Sequence, residues 1–158
     1  MNYRSGTKVG GTFRARAEKL SHPGQIGEFL RRLVVELGMT TLGTHIYDVP
    51  VAVKRLGMEC DCDEGGITGV TVLSTSHAAI HTWPEEGGAC FDVHSCRSFD
   101  PQTVANLIKE MFDTEEIEMH DMTFSLMPQS SHSTAKPNDE WVDVLRTNDG
   151  WLNLFDGV

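Results

Sequence analysis

The sequence predicts an α+β protein: an antiparallel sheet with two helices packed on one face, a two-layer sandwich that dimerises. Three observations predict it. Two segments carry apolar residues at helical spacing, several short β-branched segments lie between turn residues, and the order strand, helix, strands, helix, strand fits an antiparallel sheet with its helices on one side. Such a sheet keeps one face without helices, and a second subunit is the expected cover.

The elements follow in order. From Gly11 to Lys19, Phe13, Ala15 and Ala17 alternate with Arg14 and Arg16 as in a half-buried strand. Pro23 suits a first helical turn. Ile26, Phe29, Leu30, Leu33, Val34 and Leu37 then form one apolar stripe that stops at Gly38. Met39 to Val53 reads as a strand broken at Pro50, and Lys54 to Gly66 as a surface loop containing the acidic run Glu59-Cys60-Asp61-Cys62-Asp63-Glu64. Ile67 to Leu73, Ala78 to Trp83 and Ala89 to Cys96 read as strands. Asp100-Pro101 opens a second helix on Val104, Leu107, Ile108, Met111 and Phe112, and Ile117 to Leu126 is a last strand. The domain is expected over residues 1–128. Beyond it, residues 129–158 read as a Ser-, Asn- and Pro-rich linker and an apolar docking tail around Trp141 and Trp151.

Charge and length exclude several function classes. The 13 Lys and Arg stand against 23 Asp and Glu, a balance of −10, and no basic stripe studded with aromatics offsets it, so nucleic acid is not an expected partner. No apolar run approaches the roughly 18 residues of a membrane span, and the opening from Met1 to Lys19 lacks the apolar stretch of a signal peptide. A cytoplasmic location is expected. There, Cys60, Cys62, Cys90 and Cys96 stay reduced and serve packing, metal or catalytic roles.

Reactive side chains are densest in Ser74-Thr75-Ser76-His77-Ala78-Ala79-Ile80-His81-Thr82-Trp83-Pro84-Glu85, followed by Cys90, Asp92, His94 and Cys96. Read as residues alone, they allow a nucleophile with its base, a metal site, or a strand with a polar exposed face. The i, i+4 pair His77 and His81 converges on zinc only from a helix, whereas Ile80, Thr82, Trp83 and Pro84 favour extended chain. A calcium loop counted from Asp61 places Gly65 at position 5 and Val72 at the position of the bidentate Glu. No metal is therefore expected, although Cys60-Asp61-Cys62 offers soft ligands.

The string Thr68-Gly69-Val70-Thr71-Val72-Leu73-Ser74-Thr75-Ser76-His77-Ala78-Ala79-Ile80-His81-Thr82-Trp83-Pro84-Glu85, with Cys96 downstream, resembles the processing and active-site region of the small prokaryotic S-adenosylmethionine decarboxylases. The resemblance runs from about Ile67 to Phe112. It implies a self-cleaving proenzyme with a covalent pyruvoyl cofactor derived from Ser76. The Ser76 hydroxyl would attack the Thr75 carbonyl, and β-elimination would divide the chain between 75 and 76. A ketone next to an amide forms a Schiff base with an amine and accepts the electron pair left by CO₂.

By the same resemblance Thr68 and His81 serve processing, Cys96 returns a proton to the substrate carbon, Glu85 binds the ribose hydroxyls and Tyr47 stacks on the adenine. The implied partners are S-adenosylmethionine, the chain's own cleaved N-terminal fragment and further copies in a homo-oligomer, and the implied role is polyamine (spermidine) synthesis. The chain departs from the family's usual pattern in having Thr75 in place of Glu, Thr68 in place of Ser, and added residues in the Lys54 to Gly66 loop. These departures keep two alternatives open: an arginine or ornithine decarboxylase with the same cofactor, and an unprocessed, inactive homologue acting as a binding partner.

Overall fold

The computed structural model describes residues 5–59 and 65–125. Six strands form one antiparallel sheet: β1 (Ser5–Arg14), β2 (Thr41–Asp48), β3 (Ile67–Leu73), β4 (Ser76–Trp83), β5 (Gly88–Ser95) and β6 (Ile117–Ser125). Their order across the sheet is β2-β3-β4-β5-β1-β6. Strands β2 to β5 run as consecutive neighbours, and β1 inserts between β5 and β6, pairing Lys8 with His94 on one side and Met122 on the other.

Two amphipathic helices, α2 (Pro23–Glu36) and α4 (Pro101–Phe112), cover one face. The buried side chains of β3, β4 and β5 fall on a single parity: Ile67, Thr71 and Leu73; Ala78, Ile80 and Thr82; Ala89, Phe91, Val93 and Ser95. They meet Ile26, Phe29, Leu30 and Leu33 of α2 and Val104, Leu107, Ile108 and Phe112 of α4. Rings join the layers, with Phe112 centred 4.8 Å from Phe13 and 5.4 Å from Phe29. Helix α2 packs closely on β3 at Gly69, where an added Cβ would lie 2.9 Å from Ile26 and 3.0 Å from Leu30. Buried Thr82 is fully used: its hydroxyl accepts the Ile67 N–H at 3.0 Å and donates to the Leu20 carbonyl at 2.9 Å.

Two segments differ from their sequence-based expectation. The first strand does not run from 11 to 19; it spans Ser5–Arg14, and Ala17–Leu20 forms a one-turn helix, α1, anchored by fully buried Leu20. Pairing on both edges carries β1 through Gly6, Gly10 and Gly11, residues of low strand propensity. Pro50 also opens an element where the sequence suggested that it breaks one. The Asp48 carboxylate accepts the Val51 N–H at 3.2 Å, and α3 (Val49–Arg55) begins with the proline in its first turn. The expected loop at 54–66 therefore starts after α3. Cys60 and Cys62 of that loop, like the tail at 129–158, lie outside the described residues.

Candidate active site

The β3–β4 turn places the proposed scission point at the end of the sheet. Leu73 pairs with Ser76, leaving Ser74 and Thr75 as the two-residue connection. The Ser74 N–H donates to the Thr40 carbonyl at 2.9 Å, and the Cys96 N–H donates to the Thr75 carbonyl at 3.0 Å. A backbone donor is thus already aimed at the oxygen that would become negative if Ser76 attacked that carbonyl. Ser76 has φ +146°, a region that non-glycine residues rarely adopt and whose cost is of order 1–3 kcal/mol. The Thr75 hydroxyl is buried without a hydrogen-bond partner among the described residues.

By alternation Ser76 belongs to the helix-facing parity, yet its Oγ lies 3.1 Å from Nδ1 of His77 on the opposite parity. His77 Nε2 is 2.9 Å from Asp92 Oδ1, and Lys8 Nζ is 3.1 Å from Asp92 Oδ2. The edge of His77 meets His94 with ring centroids 5.7 Å apart.

A second group occupies the same face farther along the strands. Thr68 sits directly opposite His81, with Oγ1 2.5 Å from Nδ1, and Tyr47 pairs with Thr68 from the other side. Trp83 packs edge-on to His81 with centroids 4.3 Å apart. Burial pushes the His81 imidazole below the usual histidine range, so the neutral ring is favoured. Two residues after Trp83, exposed Glu85 lies in a short 3₁₀ turn (Pro84–Glu86). An open cleft of about 490 Å³ at this end is lined by Trp83, Glu86, Arg14, Thr12 and Glu118 among others.

Thr75, Ser76 and Cys96 are therefore together, and Tyr47, Thr68, His81 and Trp83 are together. The two groups are not. Ser76 and His81 are five residues apart on one extended strand, about 17 Å at roughly 3.3 Å per residue.

The family model for S-adenosylmethionine decarboxylase matches residues 9–123, most of the chain. The chain belongs to this family. Among curated relatives, the S-adenosylmethionine decarboxylase proenzyme of Syntrophomonas wolfei is 42% identical over 65 residues, covering 40% of this chain and 52% of that protein. The proenzyme of Geobacillus kaustophilus is 38% identical over 63 residues, 40% of this chain and 51% of that protein. The chain thus spans about half the length of the curated relatives it matches. The crystal structure of the adenosylmethionine decarboxylase from Aquifex aeolicus superposes with a TM-score of 0.60 at 24% identity, covering 83% of this chain and 98% of that one, which shows a shared fold.

The motif by itself gives the His77, Asp92 and Lys8 chain no role. Alternation along β4 and β5 puts His77 and Asp92 on one face, and this much is legible in the sequence. Lys8 joins them only through the insertion of β1 beside β5.

Proposed function

We propose that the chain is a self-processing, pyruvoyl-dependent decarboxylase that converts S-adenosylmethionine to its decarboxylated form for polyamine synthesis. The observation that carries this reading is the Thr75 carbonyl, held by the Cys96 N–H beside a strained Ser76, in a chain of this family. Attack by the Ser76 hydroxyl replaces the Thr75-Ser76 amide with an ester, moving charge onto an oxygen that already has its donor. Breaking the amide also frees Ser76 from its left-handed φ.

Elimination of the ester requires a base for the Ser76 Cα proton. Burial favours the neutral form of His81, which suits that task. With its Nδ1–H donating to Thr68 Oγ1, the Nε2 lone pair is the free base and the Thr68 hydroxyl proton remains available to a second acceptor. Because about 17 Å of strand separates His81 from Ser76 within one copy, the reading needs two copies. In the proposed dimer the open sheet faces meet, and Thr68 and His81 of one copy serve Ser76 of the other.

The donor set fits a pyruvoyl group at position 76, since the carbonyl, its N–H donor and the cysteine adjoin the residue from which the group would derive. That group supplies a carbonyl that condenses with the substrate amine and takes up the electron pair as CO₂ leaves. Around it, Cys96 is the proposed proton donor to the substrate carbon, Tyr47 the adenine platform and Glu85 the acceptor of the ribose hydroxyls. Substrate, by this reading, spans the interface between copies, as the separation of Glu85 and Tyr47 from Cys96 requires.

Intact mass under denaturing conditions tests the processing, and CO₂ release from carboxyl-labelled substrates tests the chemistry. Two fragments divided between 75 and 76 are expected, the second without a free amino terminus, with label released from S-adenosylmethionine and not from arginine or ornithine. Ser76→Ala should remain one inactive chain. A wild type that stays a single chain overturns the reading, and release from arginine or ornithine alone overturns the substrate.

A further inference from the structure

Three strands converge behind Ser76 to build a continuous polar chain. Lys8 of β1 pairs with Asp92 of β5, Asp92 with His77 of β4, and His77 with the Ser76 hydroxyl, at 3.1, 2.9 and 3.1 Å in turn. The register fixes this arrangement: His94 stands directly opposite both Lys8 and His77, and Asp92, two residues before it, reaches both diagonally.

The direction of each hydrogen bond follows from the groups themselves. A carboxylate oxygen accepts, and the Asp92 carboxylate lies between Lys8 Nζ and His77 Nε2, so His77 Nε2 carries the hydrogen. In the neutral ring Nδ1 is then a bare lone pair. The Ser76 O–H is left to donate into it. A nucleophilic hydroxyl, an imidazole acceptor and an orienting carboxylate thus stand in sequence, the arrangement by which a weak nucleophile is activated.

We infer that His77 is the base for the first step of self-cleavage, with Asp92 and Lys8 as positioning residues that fix its tautomer and ring orientation. The inference rests on the self-processing reading above and assigns a proton that His81 does not handle. In this step the Ser76 Oγ to Thr75 carbon bond forms and the Thr75 carbon to Ser76 nitrogen bond breaks. The proton passes from Ser76 Oγ to His77 Nδ1 and then to the Ser76 nitrogen. The products are an ester and a free amine in one chain, and no other reactant is consumed. His81 acts later, on the Cα proton. A purely structural role for the chain has a different consequence: His77 and Asp92 side chains are 44% and 33% exposed, and ion pairs that wet contribute little to stability.

The two steps separate in a His81→Ala background, where elimination is blocked and the ester accumulates. Hydroxylamine splits esters and leaves amides, so the hydroxylamine-sensitive fraction of freshly synthesised chain follows the first step alone. His77→Asn and His77→Ala should slow its appearance about 100-fold or more, with circular dichroism unchanged, and Asp92→Asn should slow it less. Added imidazole should restore part of the rate to His77→Ala, a response that a structural residue does not give. If wild-type chain cleaves while both His77 variants form ester at the parent rate, or imidazole leaves His77→Ala unaffected, the assignment to His77 falls and the self-processing reading stands. A wild type that never cleaves removes both.

Discussion

His81 shows how one side chain's surroundings set its chemistry. Half-burial beside Thr68 and Trp83 disfavours the charged ring and moves its proton affinity below the ordinary histidine value of about 6.5. The elimination step proposed for His81 would need the neutral ring. Its rate is therefore expected to rise with pH through a midpoint below 6.5 and to be flat above it; a midpoint above 6.5 in single-turnover ester breakdown contradicts the assignment. Stability carries the same sign. The unfolded chain takes up a proton near 6.5 and the native ring only at lower pH, so acidification between those values favours unfolding. Ser76, Thr68, His81 and Cys96 are legible in the sequence as candidates because they sit in one long joint motif. Their separation was not, since two residues of one motif can be 17 Å apart once the strand is extended. Lys8 was the least legible of all, since its neighbours Asp92 and His77 are more than 60 residues away along the chain.

Helix α4 carries its stop and start signals openly. The Asp100 carboxylate accepts the Gln102 N–H at 3.0 Å, Pro101 takes the first turn, and Asp113 ends the helix in the left-handed region at φ +55°. Removing the cap leaves the Gln102 N–H to water alone. Asp100→Ala is expected to cost about 1 kcal/mol, read by chemical denaturation in an uncleaved Ser76→Ala parent; a change below a few tenths would show that the Asp100 carboxylate contributes no cap. Helices of 12 and 14 residues with a full apolar stripe, and strands bounded by turn residues, were legible for the same reason: each repeats its signal several times. Helices α1 and α3, with four and seven residues, repeat nothing. Pro50 shows the ambiguity in miniature, because proline both ends strands and begins helices. What decides is the Asp48 side chain on the Val51 N–H.

At the scale of the whole molecule, the sheet buries one face under α2 and α4 and, among the described residues, carries on the other the groups proposed for the reaction, divided between two ends. In the proposed dimer, a face-to-face pair of sheets whose two-fold axis runs across the strands would bring unlike ends together, so that each copy's Thr68 and His81 would meet the other's Ser76 in two equal sites. This geometry makes a prediction that single variants cannot. Ser76→Ala has no nucleophile, His81→Ala has no elimination base, and either alone should stay uncleaved. In a mixed dimer one complete site returns: the intact Ser76 of the His81→Ala chain faces His81 of the Ser76→Ala chain. Co-expressed with tags of different mass, only the His81→Ala chain should be cut, in a yield bounded by the mixed dimers, about half of the total for random pairing. Cleavage of His81→Ala chains expressed alone would show that the base is not His81. Mixed dimers that form and stay intact would show that Ser76 and His81 do not meet across the interface.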